Sequence, residues 1–175
     1  RDEVRGLADL TEEYLIGARL PNLKPETGSL NELITELIGF LQPLADRHGV
    51  SVASDLDTSV PSFSFDRAMV RQAVRNLIKN GLEALPEGGK IEVSTRREGE
   101  SGLITVADNG PGITQDAAAR MFEPFFTTKP GGSGLGLSIA EEIARGHGGE
   151  MTWASQPGAG ARFTIRLPLR RSGDG

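Results

Sequence analysis

Apolar residues recur at helical spacing in four segments of the chain and at alternate positions in five others. The three- and four-residue spacing predicts helices over residues 4–18, 29–46, 67–85 and 135–145. Alternation predicts strands near residues 50–56, 91–95, 103–107, 150–154 and 162–167. Because helices and strands alternate and hairpin turns join some of the strands, the pattern favours a mixed sheet covered by helices on one face.

Turn-forming residues divide the chain into two units. Residues 21–28 are rich in proline, asparagine and glycine and are predicted to form a linker. A capping box of Ser29 and Glu32 then begins the second unit. The helical seam over residues 4–18 is too short to stand alone and starts at the first residue, so we expect it to be the end of a longer helix that packs on a partner.

Composition removes several classes of protein. The 175 residues contain no cysteine, which excludes thiolate zinc sites and cysteine nucleophiles. The two histidines argue against a multi-histidine metal site. The formal charge of −5 and the lack of a long lysine or arginine cluster argue against nucleic-acid binding. No apolar run approaches the roughly 20 residues of a membrane span.

The predicted helix over residues 67–85 carries a polar face beside its apolar one. At about 100° per residue, Asn76, Asn80 and Glu83 share one face. Asparagine is a poor residue for a helix interior because its amide competes for backbone hydrogen bonds, so two of them one turn apart invite a functional interpretation. A solvated helix face is the alternative, and for such a pair alone it is the simpler one.

Two glycine-rich loops supply further candidate chemistry. Asp108 follows an apolar strand and begins the sequence Asp-Asn-Gly-Pro-Gly, where the carboxylate would face a pocket and the glycines would admit a flat ligand. A plain tight turn is the alternative there. The glycine-rich residues 131–138 lead into a helix, which is typical of an anion site, with a flexible hinge as the alternative. This second loop matches neither the P-loop nor the dinucleotide-binding fingerprint.

A phenylalanine-rich stretch, residues 121–130, lies between the two loops. Its glycine-bounded ends predict a lid that closes over a filled site, with Lys129 within reach of a phosphate. Packing in the core is the simpler interpretation of Phe122 and Phe125, and a solvated charge is the alternative for Lys129.

Taken in order, these motifs resemble those of bacterial sensor histidine kinases of two-component systems, which belong to the GHKL ATPase superfamily. The motifs are Asn76-x-x-x-Asn80, Asp108-x-Gly110-x-Gly112, Phe122-x-x-Phe125-Phe126 and Gly132-x-Gly134-x-Gly136. The resemblance covers residues 29–168, the proposed ATP-binding catalytic domain, and is greatest to the nitrogen-regulatory type.

The resemblance implies an α+β fold, a two-layer α/β sandwich whose mixed, mostly antiparallel sheet carries helices on one face. A short helical segment precedes it. Residues 1–20 resemble the second helix of the dimerisation and phosphoacceptor hairpin, residues 21–28 form the linker and residues 169–175 form a tail.

The resemblance also implies a site for ATP and Mg²⁺, with Asn76, Asn80 and Lys129 as its catalytic residues. Asp108 would accept the adenine amino proton, and Asn80 would ligate Mg²⁺ between the phosphates, with Lys129 adding charge. Gly110 and Gly112 would shape the purine pocket, and backbone N–H groups of Gly132, Gly134 and Gly136 would bind the β- and γ-phosphates. The remaining implied nucleotide-binding residues are Ile113, Phe122, Thr127, Thr128, Ser133, Leu135, Leu137 and Thr164, the last of these behind the adenine.

Two positions bear on the choice among related activities. Many of these kinases carry a lysine three residues after the magnesium-binding asparagine, where this chain has Glu83. The resemblance therefore implies no phosphate contact from this position. ATP-hydrolysing relatives carry a glutamate base four residues before that asparagine, where this chain has Asn76, and an amide cannot take a proton from water. Phosphoryl transfer to an outside nucleophile is therefore favoured. An ATP hydrolase of the same fold and a catalytically silent nucleotide-binding signalling module are the alternatives.

The acceptor of the phosphoryl group should be a histidine on a dimerisation hairpin. His48 and His147 both follow predicted helix ends, where a protonated imidazole suits the helix dipole, so we expect structural roles for both. The resemblance implies a cytoplasmic location and a homodimer in the full-length protein. The implied partners are the protein's own phosphoacceptor domain and a response regulator receiver domain, with no nucleic acid and no membrane contact by this segment, while the full-length protein could be membrane-anchored.

Overall fold

The computed structural model describes residues 22–129 and 132–170. The helices in these ranges are α1 (Leu30–Arg47), α2 (Arg67–Ala84), α3 (Gln115–Ala118) and α4 (Gly136–Gly146). The strands are β1 (Glu26–Gly28), β2 (Val50–Leu56), β3 (Phe63–Phe65), β4 (Gly89–Glu98), β5 (Ser101–Asp108), β6 (Glu150–Ser155) and β7 (Ala161–Pro168). The helix predicted over residues 4–18 and the end of the tail, residues 171–175, lie outside the described residues.

A five-stranded sheet in the order β2-β4-β5-β7-β6 forms one layer of the fold. β2 and β4 are parallel, and the other neighbouring pairs are antiparallel. Buried residues alternate along β4, β5 and β7, so the sheet packs one face against α1, α2 and α4. The predicted mixed, mostly antiparallel sheet with helices on one face is confirmed.

The strands β1 and β3 form a second, two-stranded sheet that the hydrophobic pattern did not predict. They pair antiparallel, with Glu26 opposite Phe65. Each has three residues, too few for an alternating pattern to be recognised. Residues 26–28 belong to the segment predicted as a linker, so this part of it is a strand that pairs with the second unit.

Side-chain caps begin three of the four described helices. Ser29 Oγ accepts a hydrogen bond from the Glu32 N–H at 3.3 Å, as the capping box predicted, and Asp66 Oδ1 accepts one from the Met69 N–H at 3.0 Å. Thr114 caps the short α3, which was not predicted. α4 begins without a side-chain cap, so no capping side chain satisfies the N–H groups of its first turn.

Asp57, just after β2 ends, joins α1 to β4. Its backbone carbonyl accepts a hydrogen bond from Asn31 Nδ2 on α1 at 3.0 Å, and its backbone N–H donates to Thr95 Oγ1 on β4 at 3.1 Å. Its carboxylate accepts the Arg97 and Ser59 backbone N–H groups at 3.0 and 2.8 Å. These hydrogen bonds, that from Arg97 first, lower the pKa of Asp57 from 3.8 to about 2.

None of the helices within the described ranges is long and apolar enough to cross a lipid bilayer.

Candidate functional site

A cavity of about 650 Å³ opens between α2, the start of α4 and the loops that follow β5. Most of the predicted site residues line it, although they come from separate stretches of sequence. They are Asn76, Asn80, Asp108, Gly112, Ile113, Thr127, Thr128, Lys129, Gly132, Ser133, Gly134, Gly136 and Leu137. The fold therefore brings residues of all four motifs to one concave surface, the phenylalanine motif through Phe126 and the residues that follow it.

The helix α2 supplies the polar wall of this cavity. Asn76, Lys79, Asn80 and Glu83 all line it, because steps of three and four residues keep them on one helical face. Asn76 is only 6% exposed, and its Nδ2 donates a hydrogen bond to the Gly136 carbonyl at 3.3 Å. The amide therefore fastens α2 to the first residue of α4.

Lys129 connects the lid to α2. Its Nζ donates to Oδ1 and to the backbone carbonyl of Asn80, at 2.9 and 3.1 Å, and to Glu83 Oε2 at 3.2 Å. An ammonium group has three protons, and each has an oxygen within hydrogen-bond distance here. The Lys129 backbone N–H donates to Thr127 Oγ1 at 3.1 Å, which orients the chain at this point. The alternative interpretation of Lys129 as a solvated surface charge is wrong.

Asp108 occupies the end of β5 and faces the cavity. Its Oδ1 accepts the Gly110 N–H at 2.8 Å, while Oδ2 has no hydrogen-bond partner among the described residues. The neighbouring Gly112 packs so tightly that a Cβ there would lie 2.2 Å from the Gln156 carbonyl oxygen. This contact and the hydrogen bond from the Ile113 N–H to Ser155 Oγ at 2.8 Å hold the loop against the end of β6. A carboxylate oxygen is thus left open to a hydrogen-bond donor in the cavity.

A backbone hydrogen bond joins Phe125 of the predicted lid to Gly134 of the glycine-rich loop. The Phe125 N–H donates to the Gly134 carbonyl at 3.0 Å. Gly134 has a φ of +68°, and a Cβ on it would lie 2.4 Å from the Phe125 carbonyl carbon. The close approach of the two backbones therefore requires glycine at position 134.

The cavity also receives the start of α4, an 11-residue helix. Its first N–H groups have no side-chain cap, and the helix dipole places partial positive charge at this end. Uncapped N–H groups and the Lys129 ammonium in one cavity suit an anionic ligand.

Four predicted site residues do not line the cavity: Gly110, Phe122, Leu135 and Thr164. Gly110 contributes through its hydrogen bond to Asp108. Leu135 is buried. Phe122 packs against the core, as predicted from the sequence. Phe125, by contrast, is 59% exposed, so its predicted core position is wrong.

The prediction that Thr164 lies behind the adenine is wrong. Phe163 and Ile165 are buried beneath the helices, so Thr164 projects from the opposite face of β7. Its hydroxyl there shares a hydrogen bond with Thr105 Oγ1 at 2.9 Å. Ala161, at the start of the same strand, lines the cavity instead.

The sequence patterns missed several lining residues: Lys79, Ala84, Thr114, Ala117, Met121, Phe126 and Ala161. The helical spacing that selected Asn76 and Asn80 also covers Lys79, so the same periodicity could have found it. Phe126 belongs to the lid motif, and the Arg120 guanidinium carbon lies 4.5 Å from its ring centroid, a cation–π contact that orients the ring. Small residues such as Ala117 and Ala161 carry no chemical pattern and become recognisable only once the fold is known.

The two histidines lie outside the cavity. His147 is buried, its Nε2 accepts the Asp66 backbone N–H at 3.0 Å, and its Nδ1 lies 2.7 Å from the Ile143 carbonyl oxygen. The expected structural role of His147 is confirmed, but the reason given for it is wrong. An Nε2 that accepts a hydrogen bond belongs to a neutral ring whose proton is on Nδ1, not to an imidazolium. His48 is the C-cap residue of α1.

Comparison with known proteins identifies relatives of this fold and site. The profile of the family "Histidine kinase-, DNA gyrase B-, and HSP90-like ATPase" matches residues 65–171. The C4-dicarboxylate transport sensor protein DctS of Rhodobacter capsulatus is 36% identical over 148 residues, which make up 82% of this chain and 22% of DctS. The crystal structure of full-length ShkA in complex with AMPPNP aligns with a TM-score of 0.89 at 27% identity, over 98% of this chain and 38% of ShkA. The histidine kinase ThkA in complex with the response regulator protein TrrA aligns with a TM-score of 0.80 at 27% identity, over 96% of this chain and 48% of ThkA.

The chain belongs to the family of histidine kinase-, DNA gyrase B- and HSP90-like ATPases. Within that family, it carries the catalytic ATPase domain of sensor histidine kinases. It spans about a quarter of the length of the curated relatives that it matches. The narrower resemblance to the nitrogen-regulatory type stays a prediction.

Proposed function

We propose that this chain binds Mg²⁺-ATP and transfers its γ-phosphoryl group to a histidine on a dimerisation hairpin. One observation carries the proposal: a single cavity contains the open carboxylate oxygen of Asp108, the Asn80–Lys129 pair and the uncapped start of α4. The carboxylate suits the adenine amino group, and the cation and free N–H groups suit a polyphosphate.

Magnesium fits this site through Asn80. Mg²⁺ prefers oxygen ligands and is commonly bound by one or two protein groups together with substrate phosphates. Residues 22–129 and 132–170 contain no cluster of three or more histidine, aspartate or glutamate side chains that could hold a metal ion on its own. The amide oxygen of Asn80 would therefore share the ion with the phosphates. The bound ion would neutralise charge on the phosphoryl group during transfer.

Transfer to an outside nucleophile is favoured over hydrolysis because of Asn76. An amide has no basic atom that could deprotonate water, and this one already donates its N–H to Gly136. An ATP hydrolase of the same fold remains the second candidate, and it would need a base from elsewhere.

The same proposal extends to partners. We assign residues 1–20 to the second helix of the dimerisation and phosphoacceptor hairpin, with a homodimer formed by the full-length protein. The next acceptor would be a response regulator receiver domain, a partner of the kind that ThkA binds in its complex with TrrA. Such a relay operates in the cytoplasm, where ATP is available.

Calorimetric titration of the chain with Mg²⁺-ATP tests the nucleotide site. We expect a dissociation constant in the micromolar range, about 7–8 kcal/mol of binding free energy. Asp108→Asn replaces an acceptor with an amide and should weaken binding at least about tenfold. Asp116→Asn makes the same substitution at an exposed position outside the cavity and should bind like the unmodified chain.

Phosphoryl transfer is tested by incubating the chain with γ-labelled ATP and a separately supplied phosphoacceptor hairpin. Acid-labile, alkali-stable label on the hairpin is the expected result for a phosphohistidine. Nucleotide binding with release of inorganic phosphate and no label would instead identify a hydrolase.

A further inference from the structure

Glu83 lines the cavity that is proposed to bind ATP, and its negative charge opposes the binding of a polyphosphate. Its side chain is 45% exposed, lines the same cavity as Lys129 and carries a negative charge toward the proposed phosphate position. Coulomb repulsion alone would make this glutamate weaken the binding of a polyphosphate. The structure nevertheless gives it a defined partner, because Glu83 Oε2 and Lys129 Nζ are 3.2 Å apart.

The Lys129 ammonium has two kinds of partner on α2. One is Asn80, whose Oδ1 lies 2.9 Å away and is the atom proposed to ligate Mg²⁺. The other is Glu83, whose carboxylate takes no part in that ligation. If Asn80 Oδ1 binds magnesium, the ammonium must give up its bond to that oxygen, because two cations cannot occupy the same position. The ion pair with Glu83 and the hydrogen bond to the Asn80 backbone carbonyl both survive this exchange, and of the two only the ion pair is charged on both sides.

We infer that Glu83 is a positioning residue that keeps Lys129 beside α2, where the N–H group freed from Asn80 Oδ1 faces the terminal phosphate. This inference rests on the proposed function. The lid and α2 are 46 residues apart in the sequence at this contact, and no other ion pair joins them among the described residues. Removing the Glu83 carboxylate should therefore leave Lys129 held to α2 only through the Asn80 backbone carbonyl and loosen its position, although it also removes a repulsive charge.

The sign of the change in affinity separates the two effects. Glu83→Gln should weaken the binding of the magnesium complex of AMPPNP, a non-hydrolysable triphosphate, by about fivefold, the upper range for a partly exposed ion pair. Binding of Mg²⁺-ADP should change by less than about twofold, since the lost contact is to the terminal phosphate. Glu83→Asp keeps the charge and should recover part of the triphosphate affinity.

A double-mutant cycle with Lys129→Met tests whether the two residues act together. Lys129→Met should lose at least as much triphosphate affinity as Glu83→Gln, and the double variant should be no weaker than Lys129→Met alone. Glu87→Gln removes one carboxylate just beyond the same helix, outside the cavity, and controls for the change in net charge. Thermal unfolding of each variant checks that the fold is retained.

Unchanged or tighter AMPPNP binding by Glu83→Gln would overturn the inference, as would equal losses for AMPPNP and ADP or additive losses in the cycle. Failure of the unmodified chain to bind either nucleotide would instead refute the proposed function, and the inference with it.

Discussion

Phe125 occupies a backbone conformation that residues with side chains rarely adopt. Its φ is +67°, in the left-handed region, which costs roughly 1–2 kcal/mol for a residue with a Cβ. Such a residue persists where its surroundings hold it, and here its N–H bonds to Gly134 across the base of the lid. Strain of this kind concentrates at ligand sites, so the base of the lid should be sensitive to small substitutions.

Gly134→Ala should impair both folding and nucleotide binding. The new methyl group would lie 2.4 Å from the Phe125 carbonyl carbon, so the two backbones must separate and their hydrogen bond must weaken. We expect a loss of about 2–3 kcal/mol in the free energy of unfolding by urea, and at least about tenfold weaker Mg²⁺-ATP binding by calorimetry.

Gly158→Ala is the matched control for this prediction. Gly158 also has a positive φ, of +79°, but a Cβ there meets nothing within 4 Å. The Gly158→Ala variant should lose about 1 kcal/mol in the free energy of unfolding, through backbone strain alone, and keep its nucleotide affinity. Equal effects of the two substitutions would show that the contact with Phe125 is unimportant.

At the scale of elements, one imidazole joins the start of α2 to the end of α4. His147 receives the Asp66 N–H on Nε2 and donates from Nδ1 to the Ile143 carbonyl. Asp66 is itself the N-cap of α2, and its Oδ2 accepts the Lys24 N–H at 2.8 Å. The relative position of the two helices that line the cavity therefore depends on this histidine.

His147→Ala should destabilise the chain by about 1–3 kcal/mol, because it leaves the buried Asp66 N–H without an acceptor. Urea unfolding followed by circular dichroism measures the loss. His48→Ala removes the other histidine, whose side chain is half-buried and has no hydrogen bond among the described residues. That variant should lose less than about 1 kcal/mol, and a comparable loss from both would contradict the assigned role of His147.

Periodicity predicted the elements because each long helix and strand carries its own repeat of apolar residues. It also predicted which side chains α2 presents to the cavity, since Asn76 and Asn80 are related by one helical turn. The same reasoning could have corrected Thr164, because the alternation of Phe163 and Ile165 already assigns it to the other face of β7. The positions of elements relative to one another follow no such local rule.

The contact between Glu83 and Lys129 shows what the sequence could not predict. The two residues are 46 positions apart, and their pairing depends on how the lid folds back over α2. Glu83 was identified as a departure from the family pattern, but its partner becomes visible only in three dimensions. Ala161 was missed for the same reason.

For the whole molecule, the pH dependence of stability should carry a contribution from Asp57. Its pKa falls from 3.8 to about 2 in the folded chain, mainly through the Arg97 N–H, so folding favours the ionised carboxylate. This contribution is fully present above about pH 4 and is lost as the pH falls through about 2. Urea unfolding between pH 6 and pH 2 should show that this contribution is constant down to about pH 4 and declines between pH 4 and pH 2.

Asp57→Asn tests the assignment. The variant should be less stable than the unmodified chain at pH 6, and the difference should shrink as the pH falls from about 4 to 2, where about half of the native carboxyl groups are protonated. A difference that stays constant over the whole range would mean that the loss reflects packing and not the ionisation of this carboxyl.

The hydrogen bond between Phe125 and Gly134 has a consequence for how the length of the chain can vary. It holds together positions 125 and 134, which are nine residues apart in the sequence, so residues inserted between them need not move these two anchors. The entropic cost of such an insertion grows only slowly with loop length. A change in the length of the chain between these anchors is therefore compatible with the fold as long as the contacts of Thr127 and Lys129 are kept.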